Sequence, residues 1–74
     1  MDLTAAEEGK EYIVKKIQIE DDEIKSFLTS LGCYENEIIK VVLQNRFGGV
    51  FFVNGAKYSF DRQLEKSIRI AERK

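Results

Sequence analysis

Residues 21–43 read DDEIKSFLTSLGCYENEIIKVVL, and this stretch decides the fold. Ile24, Phe27, Leu28 and Leu31 stand at i, i+3, i+4 and i+7, which is one stripe on a 3.6-residue period and predicts an amphipathic helix. Asp21 or Asp22 can accept hydrogen bonds from the first free amides, and acids at that end suit the helix dipole. Gly32 is placed to take the left-handed conformation that ends helices. Glu35-Asn36 then supplies a turn, with Asn36 tolerating positive φ, and the β-branched run Glu37–Leu43 predicts a strand.

Upstream, residues 1–8 form a polar lead-in anchored by Leu3, Gly9 opens the first strand, and Glu11–Ile17 is its alternating body. Downstream, strands are expected at Gly49–Val53 and Lys57–Phe60. Asn54-Gly55 between them is a strong signal for a two-residue hairpin turn, which requires positive φ at Gly55. The loop QNRFGG carries Phe47 near its tip. Asp61 caps a short helical turn with Leu64 facing inward, Ile68–Ala71 is the last strand, and residues 72–74 are a tail. Of the two adjacent aromatics in the third strand, Phe52 is expected to fill the interior and Phe51 to pack under the helix.

Five short strands with a helical turn before the last describe a mainly β, SH3-like five-stranded barrel. The α-helix is inserted between the first and second strands, and the four-residue stripe lays it over the closed cylinder. Seventy-four residues fit a single domain over residues 1–74.

Composition narrows the function. Twelve Lys and Arg against thirteen Asp and Glu give a net charge of −1, so a general attraction to nucleic acid or anionic lipid is not expected. The charge is uneven: residues 1–37 hold ten acids and four bases, or −6, and residues 38–74 hold three acids and eight bases, or +5. One cysteine permits no intrachain disulfide, the start lacks the basic and apolar parts of a secretory signal, and no run is long enough to span a bilayer. A cytoplasmic location and no direct membrane insertion are the expectations.

The segment FLTSLGCYENEIIKVV resembles the helix-to-strand signature of FeoA-type domains, small accessory proteins of bacterial ferrous-iron uptake. Leu31-Gly32-Cys33 matches the helix stop, Ile38–Val42 matches the strand, and Asn36 replaces a turn glycine. FFVNG, KYSF and the last I-x-I fit the family's C-terminal half, so the likeness covers residues 9–71. It departs from the family in having only Lys25 as a base on the helix. The resemblance implies an SH3-like core and, as partner, the cytosolic GTPase domain of a FeoB-type membrane transporter. Other readings are an SH3-like RNA- or ribosome-associated module and a detached metal-sensing domain.

Site chemistry is sparse. There is no histidine, nothing paired to activate Cys33 or a serine, and no two carboxylates set around one bond, so an enzyme is not expected. Asp21, Asp22 and Glu23 point in different directions on a helix start, and without histidine no metal site or cofactor is expected. Gly48-Gly49 lacks the following Lys-Ser of a phosphate loop. Protein contact remains: Tyr34, Arg46 and Phe47 have the aromatic-plus-arginine composition of an interface centre. An exposed edge strand also allows a homodimer.

Overall fold

A computed structural model describes residues 1–73. After a single 3-10 turn (Leu3–Ala5), strand β1 runs Glu11–Ile17, helix α1 Asp22–Leu31, β2 Ile38–Asn45, β3 Gly48–Val53, β4 Ala56–Asp61, helix α2 Arg62–Lys66 and β5 Ile68–Glu72. The strands form one antiparallel sheet in the order β4-β3-β2-β1-β5. Lys74 of the expected tail lies outside the described residues. Glu72 belongs to β5, and Arg73 is held to Glu11 by an ion pair of 2.8 Å.

The expected closed cylinder is an open sheet. β5 returns to pair with β1, and β4 pairs with β3 alone, so the ends of the sheet do not meet. Register breaks lie between Val14 and Lys16 in β1 and between Val41 and Leu43 in β2. These bulges explain why apolar residues occupy both alternating sets of β1. Tyr12 and Val14 point inward before the break, and Ile17 returns to the core after it.

Turn chemistry sets the rest. Asn54 (φ 48°) and Gly55 (φ 84°) form the two-residue connection, which pairs Val53 with Ala56 and fixes the face of every residue behind it. Val53 and Phe51 share the inner face, and Phe51 stacks on Phe60 with ring centroids 5.4 Å apart. The expectation for the two aromatics is therefore reversed: Phe51 is the core residue and Phe52 is exposed. β2 begins at Ile38, one residue later than expected, and runs on to Asn45, because the loop around Phe47 is a tight turn that pairs Asn45 with Gly48.

Helix α1 has the anticipated ends. The Asp21 side chain accepts from the Glu23 and Ile24 amides, and Gly32 closes the helix at φ 87°. Its stripe, however, is not buried as expected. Leu28 is 1% exposed and Leu31 packs half-buried, while Ile24 and Phe27 are exposed, Phe27 at 54%. The sheet's inner face is already filled by strand residues such as Tyr12, Val14, Ile39, Val41, Phe51 and Ile70, leaving room for one knob of the helix. Leu3, the first residue of the 3-10 turn, is fully buried, as the sequence anticipates.

The α2 turn also departs from expectation. Asp61 caps it by accepting from the Leu64 amide at 2.8 Å. Leu64 is half-buried against the core, and the fully buried member of the turn is Glu65.

Candidate docking surface

Phe47 sits at the turn between β2 and β3 and is 72% exposed. The Asn45 side chain caps the turn, accepting from the Phe47 amide at 2.8 Å and the Gly48 amide at 3.2 Å. Gly48 is needed here: at φ 156° an added Cβ would lie 2.3 Å from the Phe60 carbonyl oxygen. The Arg46 guanidinium lies 4.8 Å from the centre of the Phe47 ring, a cation–π arrangement that spreads the side chain over the aromatic face.

Three shallow clefts meet at Asp61, the corner where β4 becomes α2. One is lined by Leu43, Phe47 and Phe60, the second by Arg46, Phe47, Arg62 and Lys66, and the third, about 550 Å³, by Ile24, Phe27, Phe60 and Leu64. The hairpin tip, the corner and the outer side of α1 thus form one continuous face. Exposed apolar groups (Leu43, Phe47, Ile24, Phe27) share these clefts with the charged side chains of Arg46, Arg62, Lys66 and Asp61. Exposed apolar side chains rimmed by charge are the composition of an interaction surface.

The structure brings together two of the three residues selected from the sequence. Arg46 and Phe47 touch, but Tyr34, 45% exposed, lies at the opposite end of β2 and lines a separate cleft with Ile17, Lys25, Thr29, Cys33 and Glu35. The parity of short segments gave no warning of this, because the full length of β2 separates the positions. Sequence reasoning missed Ile24 and Phe27, which it assigned to the core. The available signal was that the strands alone supply enough inward apolar residues to fill so small an interior.

Among the described residues there is no group of three or more His, Cys, Asp or Glu placed to hold a metal ion. Cys33 is buried, and its burial pushes the thiol up to about 11, so it is a packing residue and not a thiolate at neutral pH. Among the described residues no helix is long and apolar enough to cross a membrane.

A five-stranded antiparallel sheet with a helix after the first strand and a helical turn before the last defines the chain as an SH3-like domain. The FeoA domain model matches residues 1–72, and the chain belongs to the FeoA family. The family is associated with ferrous-iron transport.

Solved structures agree on the fold. The iron(II) transport protein A of Clostridium thermocellum superposes with a TM-score of 0.84 at 16% identity, covering 97% of this chain and 45% of that one. A crystal structure of an iron uptake regulatory protein, FeoA, gives 0.81 at 20% identity over 96% of this chain and 97% of that one. The zinc complex of Stenotrophomonas maltophilia FeoA, described as a procaryotic SH3 domain protein possibly acting as a ferrous iron transport activating factor, also gives 0.81 at 20% identity, covering 96% and 89%. The chain therefore spans less than half the length of the Clostridium thermocellum protein. No curated protein matches it.

Proposed function

We propose that this chain is an accessory binding module of bacterial ferrous-iron uptake that docks on the cytosolic GTPase region of a FeoB-type membrane transporter. The supporting observation is the face around Asp61, in which Phe47 stands exposed against Arg46 and Phe27 and Ile24 stand exposed in the cleft on the other side of Asp61. Phe47 is the anchor: it is the most exposed of the large apolar side chains, it is carried on a capped turn, and arginine is stacked on it. A rigid aromatic presented this way loses little conformational freedom on binding, which is why such residues dominate interface energetics. Docking changes the transporter's behaviour only by favouring one of its conformations over another, so regulation here means unequal affinity for two states of the GTPase region.

The basic side of the face does not favour the RNA-binding alternative. Arg62 is committed to backbone carbonyls and Glu65, and Asp61 stands among the cations. Titration calorimetry of the isolated GTPase region against the folded chain tests the proposal. Binding is expected, with Phe47→Ala weakening it about tenfold or more, equivalent to about 1.4 kcal/mol or more. Absence of binding by folded wild-type chain, or affinity unchanged in both Phe47→Ala and Phe27→Ala, would reject it.

A further inference from the structure

Glu65 is fully buried, at 0% exposure, in an interior otherwise built of apolar side chains. Among the described residues one of its carboxyl oxygens, Oε2, has no partner at ordinary hydrogen-bond geometry, and neither has Oε1 of Gln44, whose side chain lies within reach of the same carboxyl. The other oxygen, Oε1, accepts from Arg62 Nη1 at 3.4 Å, a long separation for an ion pair. That nitrogen also donates to the Thr4 carbonyl at 3.1 Å, and Arg62 Nε donates to the Arg46 carbonyl at 3.2 Å. One guanidinium therefore ties the N-terminal turn, the buried acid and the tip of the β2–β3 hairpin together. Gln44 reinforces the assembly by donating from Nε2 to the Leu3 carbonyl at 2.9 Å.

We propose that Glu65 is a positioning residue that couples the gain or loss of one proton to the set of the Arg46–Phe47 tip, with Arg62 as the lever. While the proton is on Glu65, the carboxyl is neutral and Arg62 is shared with the Arg46 and Thr4 carbonyls. When the proton leaves to solvent, an unhydrated carboxylate with a free oxygen draws the guanidinium into a two-point contact. Arg62 Nε then leaves the Arg46 carbonyl. The tip retains the backbone bond from the Arg62 amide to the Phe47 carbonyl, now without its side-chain brace. The coupling is a property of the isolated chain; its consequence for affinity rests on the docking reading.

The surroundings of Glu65 agree. Burial pushes its carboxyl up from the ordinary range, opposed by Arg62 and by the Gln44 side chain, while Asp2 of the N-terminal turn and Asp61 at the end of β4 add to the rise. On the remaining sides, β5 brings Arg69, which acts on Asp2, α2 itself carries Lys66, Glu8 accepts from the Gln44 amide, and β3 has no ionisable residue. The chain has no histidine, so an imidazole cannot be the source of a response near neutrality.

Carbon-detected NMR of the glutamate-labelled, N-terminally acetylated chain tests the coupling, titrated from about pH 4 to about pH 9, from the ordinary carboxylate value to well above it. Acetylation removes the α-amino group as another source of the response. The Glu65 carboxyl is expected to titrate above the ordinary carboxylate range. The amides of Arg46, Phe47 and Gly48 should shift with the same midpoint, and affinity for the GTPase region should fall several-fold on the alkaline side. Glu65→Gln should flatten the tip response. Arg62→Lys, which keeps the charge but not the forked donor, should leave Glu65 titrating while the tip no longer follows. An ordinary Glu65 midpoint, or a tip response that persists in Glu65→Gln, overturns the proposal. A tip that follows Glu65 in a chain that does not bind the GTPase region supports the coupling and counts against the docking reading alone.

Discussion

Helices α1 and α2 are held in contrasting ways. α1 has ten residues, an aspartate cap, acids in its first turn and a glycine stop, yet it inserts only Leu28 fully into the core. α2 has five residues and little amphipathic character, yet it packs against the N-terminal turn, β3, β4 and β5, and its Glu65 and Arg62 fasten segments distant in sequence. The difference teaches that local helix signals report whether a segment coils, whereas its attachment depends on how much inner surface the sheet has left to offer. The apolar side chains that α1 does not bury are available at the surface, beside the hairpin tip that α2 braces.

The first way to break this contrast is Leu28→Ala, which removes the sole fully buried knob of α1 and should cost about 2–5 kcal/mol. Hydrogen exchange should show the α1 amides opening first while β1 to β5 stay protected. Simultaneous loss of both would mean that α1 is as firmly built in as the sheet. Next comes Gly32→Val. Gly32 is left-handed, and an added Cβ would lie 2.6 Å from the Asn54 side chain, so a loss of about 1–3 kcal/mol is expected. A thermal midpoint close to wild type would show that the α1 stop tolerates other geometries.

The contrast sharpens with pH. The unfolded chain releases the Glu65 proton near the ordinary 4.5, while the fold retains it to higher pH. In that window the folded state binds more protons, so Glu65 makes stability decline as pH rises from 4.5 to the raised midpoint, with no further change above it. Thermal melts of Glu65→Gln should therefore lie above wild type on the alkaline side and converge with it in acid; parallel curves would remove the argument for a retained proton. Asp2 acts with the opposite sign. Its hydrogen bond from Thr4 lowers its carboxyl, giving a contribution that is present above 3.8 and lost on acidification. The smallest expected effect is on folding in Phe27→Ala and Phe47→Ala, within about 0.5 kcal/mol for exposed positions. A large drop in melting temperature for Phe27→Ala would place that ring in the core after all.

Much of the fold is legible wherever a residue dictates backbone geometry. Asn54-Gly55 sets the β3–β4 register, Gly32 stops α1, and Asp61 starts α2, each by a local requirement. The same turn contained the answer for the two aromatics, since Val53 and Phe51 must share a face once Val53 faces Ala56 across a two-residue loop. What was illegible is long-range. Whether β4 meets β5 depends on sheet twist and bulges, and no residue of either strand announces that the sheet stays open. Of the proposed surface, Arg46 and Phe47 could be chosen by chemistry alone, but their neighbours Ile24 and Phe27 come from another part of the chain. Glu65 carries no mark that separates it from an exposed glutamate; only the placement of Arg62, Thr4 and Gln44 around it shows that it is interior.

The pairing of β1 with β5 joins nearly the first and nearly the last segments of the described chain. During synthesis β1 can find β2 early, but its second edge stays uncovered until residues 68–72 have emerged, so the sheet cannot be completed from its N-terminal part. Any state with β1 to β4 in place and β5 absent would leave the amides and carbonyls of that β1 edge, beside Tyr12 and Val14, free to pair wrongly.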